Sequence, residues 1–267
     1  MSQHVVLDPS IASFFHSSNE DIFNQVKNLS GEVYRDINGR QTKRVCIQGH
    51  FYFIKYHAGV GWTEILKNWL QLKRPILGAE NEYLAIKALH KIGIDTMTVV
   101  GFGKKGCNPA QQSSFLITKE LAHMVSLEDL ELQDVTYKRQ LISKVAQMTY
   151  LLHHHGINHQ DLYLCHFLIQ LTVKGQQGQP CYLIDLHRAQ IKKKVPLRYR
   201  IKDLAALYYS SHDVGLTRSD ILRFVKIYTQ QSPSQAIKKN KWFWLSIKKK
   251  ATRIYKKDFK KRPNFKL

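Results

Sequence analysis

Two short runs constrain this chain more than any other feature. The first is Asn158-His159-Gln160-Asp161-Leu162-Tyr163-Leu164-Cys165-His166-Phe167-Leu168-Ile169, a polar turn that hands over to an apolar strand. The second is Cys181-Tyr182-Leu183-Ile184-Asp185-Leu186-His187, an apolar strand that ends on an acid. Between them Gly175, Gly178 and Pro180 punctuate a glutamine-rich stretch, which marks a turn. The pattern predicts a hairpin with one carboxylate, Asp161, before its first strand and another, Asp185, after its second. Phosphoryl transfer needs such a pair. One acid accepts a hydrogen bond from the attacking hydroxyl, and the other holds the magnesium ion that neutralises the phosphates.

The first run matches the protein-kinase catalytic loop, H-R-D-L-x-x-x-N, at His159, Asp161 and Leu162, with His166 in place of the final Asn. The second puts Asp185 where such enzymes keep the metal-binding aspartate of D-F-G, here followed by Leu186 and His187. Either match alone is common in unrelated chains; their order and separation give them weight. In the strand expected over 51–57, Lys55 alternates onto the face of Phe51 and Phe53. On its own that is most simply a lysine snorkelling to water. The helix expected over 79–91 carries Glu82, placed to pair with a strand lysine, with Glu80 as the alternative. Together the four positions predict an α+β, bilobal, protein-kinase-like fold, with a small antiparallel-sheet N-lobe and a mainly helical C-lobe.

The rest of the pattern fits around this frame. Residues 1–29 read as a peripheral lead-in with one short helix near 21–29. Strands are expected at 32–35, 44–47, 51–57, 98–103 and 114–118, the first two joined at Asn38-Gly39, a hairpin signal. That turn lacks the glycine-rich phosphate loop of kinases, which leaves Arg40, Lys43 or backbone amides to cradle phosphates. Apolar spacing predicts a helix over 61–74 ended by Pro75. The connector at 119–122 is where backbone groups would bind adenine. A long helix over 136–155, with Leu141, Val145, Met148 and Leu152 on one face, ends at Gly156. His153, His154 and His155 point in different directions on that helix, so they are read as helix-end histidines rather than a metal site. Asp203, on the next helix, is expected to brace the catalytic loop.

Composition adds information about partners. The formal net charge is +21, which points to a polyanionic partner: nucleic acid, an anionic membrane or an anionic substrate. No stretch is long and apolar enough to span a bilayer, and residues 1–10 carry no secretory signal pattern. The four cysteines show no paired spacing. The divisions expected are an N-terminal lobe over 1–121, a catalytic lobe over 122–236 and a basic amphipathic tail over 237–267. That tail suits an anionic bilayer surface, with packing on the large lobe as the competing reading.

With these residues in place, the sequence resembles the bacterial lipopolysaccharide core heptose(I) kinases from about residue 31 to 228. The resemblance rests on Pro75-Ile76-Leu77-Gly78-Ala79, Gly93-Ile94-Asp95-Thr96-Met97, Cys165-His166-Phe167-Leu168 and Ile184-Asp185-Leu186-His187-Arg188-Ala189-Gln190. It departs from the family at Gln160, where the motif commonly has arginine. The resemblance implies Mg²⁺-dependent transfer of the ATP γ-phosphate to O-4 of the first heptose of the inner core. The acceptor, a lipid A–core oligosaccharide, is an anionic glycolipid met at the cytoplasmic face of the inner membrane, which would account for the charge without nucleic acid. Asp161, with His159 beside it, would form the catalytic pair. Asp185 would bind Mg²⁺, and Lys55, paired with Glu82, the α- and β-phosphates. His166 stands where a second metal ligand usually sits; magnesium prefers oxygen, so either one ion is held mainly by Asp185 or His166 is structural. Arg188, Lys192 and Arg198 are candidates for acceptor phosphates and carboxylates. Sequence leaves the oligomeric state open. The rivals are a kinase of another acceptor, protein or small molecule, and a non-catalytic basic binding module. No A-P-E element follows Asp185, which disfavours a protein kinase.

Overall fold

A computed structural model describes residues 3–16, 20–37, 39–59, 61–62, 66, 78–131, 133–171 and 179–260. The helix expected over 61–74 and the turn over 174–180 lie almost wholly outside these residues. The chain divides into two compact units, 1–87 with 97–121 and 88–96 with 122–267.

The first unit is built on a six-stranded antiparallel sheet. Its strands are β1 (Gln3–Leu7), β2 (Glu32–Ile37), β3 (Arg40–Ile47), β4 (His50–His57), β5 (Val99–Lys105) and β6 (Ser113–Lys119), in the order β1-β5-β6-β4-β3-β2. Five of these were expected. The sixth, β1, corrects the reading of the first residues as peripheral: it pairs with β5 along its whole length. Two helices follow it, α1 (Pro9–His16) and α2 (Ile22–Asn28). Ile11 and Phe15 of α1 and Phe23 and Val26 of α2 join Tyr52, Ile54, Tyr56, Phe115 and Ile117 in one core. Each large side chain so buried stabilises the unit by about 1.5–3 kcal/mol.

Lys43 on β3 contributes differently. It is buried, and its ammonium donates to the carbonyls of Lys27 and Leu29 at 2.6 and 2.7 Å. A cation is favourable at a helix C-terminus, where carbonyls lack partners, so Lys43 pins the end of α2 to the sheet. Burial lowers its pKa. It is thereby removed from the phosphate-binding role weighed for it.

The helix α3 (Glu80–Lys91) starts in the first unit, and its last turn belongs to the second. Gly93, at φ +74°, lets the chain leave that helix.

The second unit is mainly helical. It holds α4 (Val135–His154), α5 (Leu197–Ser210), α6 (Arg218–Thr229), α7 (Pro233–Lys239) and α8 (Lys241–Phe259). Asp134 caps α4 by accepting from the amides of Thr136 and Tyr137, and Thr217 and Asp220 form a capping box on α6. These caps satisfy amides that a helix start leaves unpaired. Phe243, Trp244, Ile247 and Ala251 of α8 are buried with Leu204, Val225 and Tyr228. The apolar face read as a membrane anchor is therefore occupied by the protein's own core, and the packed reading of the tail describes α8. A cavity of about 100 Å³ in this unit is walled by Leu141, Val145, Leu204, Leu207, Phe224 and Trp244, among other mostly apolar side chains.

Small strands carry the loops of this unit. β7 (Met124–Ser126), β9 (Phe167–Gln170) and β10 (Cys181–Leu183) form one antiparallel sheet, in the order β10-β9-β7. β8 (Ile157–Asn158) pairs with β11 (Gln190–Ile191). Gly156, between α4 and β8, has φ +78°, and a Cβ there would meet the carbonyl oxygen of Lys192 at 1.8 Å. Only glycine meets both demands.

Candidate active site

In the first unit the alternation of β4 sends Tyr52, Ile54 and Tyr56 into the core and leaves Lys55 on the other face. There its ammonium meets Glu82 of α3 at 2.7 Å. Glu82 is only 2% exposed, so this is a buried carboxylate with a cationic partner. Removing such a partner costs about 3–5 kcal/mol. Glu80, the alternative, pairs instead with Lys104 at 2.7 Å on the surface. Nearby, Arg44 binds Glu120 through two hydrogen bonds of 2.7 and 3.0 Å and stacks over Phe51.

In the second unit the loop after β8 is held from behind by one carboxylate. Asp203 on α5 is wholly buried and accepts from the backbone amides of His159 and Gln160, each at 2.8 Å. Gln160 takes a left-handed conformation, φ +78°, and the two bonds hold that sharp turn in place. A third bond, 3.3 Å, comes from His153 Nε2. His153 Nδ1 lies 2.9 Å from the Tyr228 hydroxyl, which Arg200 Nε also approaches at 2.9 Å. Arginine can only donate and a carboxylate only accept. Arg200 therefore donates to the Tyr228 hydroxyl, and His153 donates through Nε2–H to Asp203. The bracing role expected of Asp203 is realised, and His153, in the last turn of α4 as expected, is also a buried strut. Nothing in its sequence setting distinguishes it from His154 and His155, which are exposed.

His159 is also fully buried. Its Nε2–H donates to the Ile184 carbonyl at 2.9 Å, which ties the loop to the residue before Asp185. Burial lowers its pKa and keeps it neutral. It braces the site and does not reach open space, so the catalytic pairing read for it with Asp161 becomes a positioning one.

Asp161 is surrounded by cations. Arg188 Nη1 donates to its Oδ2 at 2.9 Å. Lys202 Nζ lies 3.7 Å from Oδ1 and donates to Gln160 Oε1 at 3.0 Å. Of the acceptor-binding candidates, the structure thus brings Arg188 to Asp161. Lys192 and Arg198 gather at the ring of Tyr199 instead, 5.4 and 4.6 Å from its centroid. Sequence reasoning missed Lys202, which lies in the lysine- and arginine-rich stretch 188–202 with nothing else to single it out.

Asp185 has φ +62° and ψ +51°, a left-handed conformation that turns the chain into the short 3₁₀ segment Leu186–Arg188. Strained non-glycine residues of this kind cluster at functional sites. Its Oδ1 accepts from His187 Nδ1 at 2.5 Å. His166 donates through Nδ1 to the Asp161 carbonyl at 2.8 Å, which aims its Nε2 at Asp185 Oδ2, 3.5 Å away. Among the described residues no cluster of three or more His, Cys, Asp or Glu side chains could hold a metal alone. One carboxylate with an oriented imidazole beside it fits a magnesium ion that takes its remaining ligands from nucleotide phosphates and water. Burial pushes the Cys165 thiol up to about 11 and the Cys181 thiol up to about 12, so neither is a thiolate near neutral pH.

The model of the "Lipopolysaccharide kinase (Kdo/WaaP) family" matches residues 24–228. The chain is 47% identical over 216 residues to "Lipopolysaccharide core heptose(I) kinase WaaP" of Escherichia coli (strain K12), covering 78% of this chain and 82% of that protein. It is 43% identical over 246 residues to the protein of the same name from Pseudomonas aeruginosa, covering 89% and 91%. A solved structure described as "WaaP in complex with acyl carrier protein" superposes with a TM-score of 0.81 at 36% identity, covering 94% of this chain and 99% of that one. The Lys55–Glu82 pair and the braced Asp161–Asp185 loop thus lie in a chain that belongs to the lipopolysaccharide kinase (Kdo/WaaP) family.

Proposed function

We propose that this protein is a lipopolysaccharide core heptose(I) kinase that transfers the γ-phosphate of ATP to O-4 of the first inner-core heptose. The observation that carries the reading is Asp161, held by the Asp203 brace in the same loop system that presents Asp185. In this reading Asp161 accepts the hydrogen bond of the sugar hydroxyl and orients its oxygen toward the γ-phosphorus. Asp185, with His166 aimed beside it, holds Mg²⁺, which neutralises charge on the phosphates. Lys55, fixed by Glu82, contacts the α- and β-phosphates. Arg188 meets the anionic groups of the acceptor; binding them draws it off Asp161 and frees that carboxylate. The work takes place at the cytoplasmic face of the inner membrane, where the glycolipid acceptor is anchored.

The test is transfer of labelled phosphate from Mg-ATP to core lipopolysaccharide lacking heptose phosphate. Label should enter the glycolipid, and Asp161→Ala should reduce the rate by at least about 10³-fold, the scale set by losing an activating base. Label found only in protein would discard the heptose assignment.

A second reading concerns a partner. The similar WaaP structure holds an acyl carrier protein, and the second unit of this chain contains an apolar cavity suited to an alkyl chain. An acyl carrier protein is therefore a proposed partner here too. Native mass spectrometry of the purified protein should find it bound in its acylated form, and Leu141→Trp, which fills the cavity, should reduce its occupancy. Equal occupancy in the variant would separate the partner from the cavity.

A further inference from the structure

During transfer the phosphoryl group spreads negative charge over three equatorial oxygens. A cation already fixed where that charge develops lowers the barrier without reorganisation. The loop itself supplies none: Leu162, Tyr163, Leu164 and Cys165 follow Asp161, and His166 has given its Nδ1–H to a backbone carbonyl. Two cations nevertheless stand at Asp161, and they differ in kind. Arg188 is 47% exposed and is committed to Oδ2 by a 2.9 Å bond. Lys202 is rooted on α5, one residue before the Asp203 carboxylate that fixes the loop backbone. Its one hydrogen bond of ordinary length to this loop goes to the neutral amide of Gln160. Its 3.7 Å separation from Asp161 Oδ1 is ion-pair range and too long for a hydrogen bond. The ammonium is thus beside the carboxylate without being spent on it, and burial lowers its pKa against the pull of Asp161.

We propose that Lys202 is a further catalytic residue, its ammonium aimed by Gln160 to bind an oxygen of the phosphoryl group as that group passes to the hydroxyl oriented by Asp161. The inference rests on the kinase reading and deepens it. In the step, the acceptor oxygen forms a bond to the γ-phosphorus. The bond from that phosphorus to the β,γ-bridging oxygen breaks, and its electron pair leaves with ADP. The hydroxyl proton passes to Asp161. Lys202 neither gains nor loses a proton and serves as fixed charge. Arg188, by contrast, has a long exposed side chain and can leave with the acceptor.

The decisive comparison is Lys202→Met against the unmutated full chain. It is read by transfer kinetics and by affinity for Mg-ADP with and without aluminium fluoride, a mimic of the planar phosphoryl group. Loss of one preorganised donor to a transition state costs about 10²–10³ in kcat. The variant should therefore lose about 10²-fold in kcat at near-unchanged KM for ATP. It should bind Mg-ADP like the unmutated protein and lose the extra affinity that fluoride confers. A variant that keeps the fluoride-dependent affinity, or that loses Mg-ADP affinity to the same degree, overturns the proposal; the second result would make Lys202 a structural group. Gln160→Leu removes the aim and leaves the charge, which covers the case in which Lys202→Met fails to fold. It should lower kcat at constant KM, and an unaffected kcat overturns the proposal as well. If the unmutated protein neither transfers phosphate nor responds to fluoride, the kinase reading fails.

Discussion

His159 has one comfortable charge state. Burial holds its pKa below the ordinary 6.5, so stability depends on pH in a definite direction. Above about 6.5 the imidazole is neutral in folded and unfolded chains alike. As the pH falls below that value the unfolded chain binds a proton that the folded chain does not, and the folded state loses stability. One such group changes the unfolding free energy by up to about 1.4 kcal/mol per pH unit. Urea unfolding between pH 7 and 5 should therefore be steeper in pH for the unmutated protein than for His159→Gln; equal slopes would mean that the penalty lies elsewhere. Legibility also varies at this scale. Lys55, Glu82, Asp161 and Asp185 could be read because spacing along strands and helices fixes which way they point. Lys202 and His153 could not, since their roles come from helices far apart in sequence meeting at Asp203 and Asp161.

Single elements show where pattern misleads. The apolar stripe of α8 was legible, but amphipathicity does not say whether the stripe faces lipid or a neighbouring helix. Here Phe243, Trp244, Ile247 and Ala251 face α5 and α6 residues in the core. Removing residues 241–260 would forfeit burial worth several kcal/mol, comparable to the total stability of a domain, so such a truncation should aggregate. The opposite face is exposed and carries Trp242, Leu245, Lys249, Arg253, Lys256 and Phe259. If this face meets the bilayer, reversing Lys249, Arg253 and Lys256 to Glu should keep the melting temperature and weaken binding to anionic vesicles by at least about 10²-fold, at roughly 1 kcal/mol per charge. Unchanged binding would move the membrane contact elsewhere. β1 failed to register for a different reason: what makes Gln3–Leu7 a strand is its pairing with β5.

For the molecule as a whole, an N-terminal lobe ending at residue 121 was expected from the sequence. The return of residues 88–96 to the second unit was not, because α3 continues unbroken through the boundary and periodicity carries no information about which unit a turn packs with. The charge of +21 acts at this scale too. At physiological salt its reach is about 8 Å, enough to gather an anionic glycolipid at the surface but not to select one, so selection falls to the loop and its neighbours. That loop starts at Gly156, where a left-handed backbone lies flush against the Lys192 carbonyl. For the gene this is a codon free to vary only at its third base. Changes there are silent, and a missense change at either of the first two puts a side chain where a carbonyl already stands.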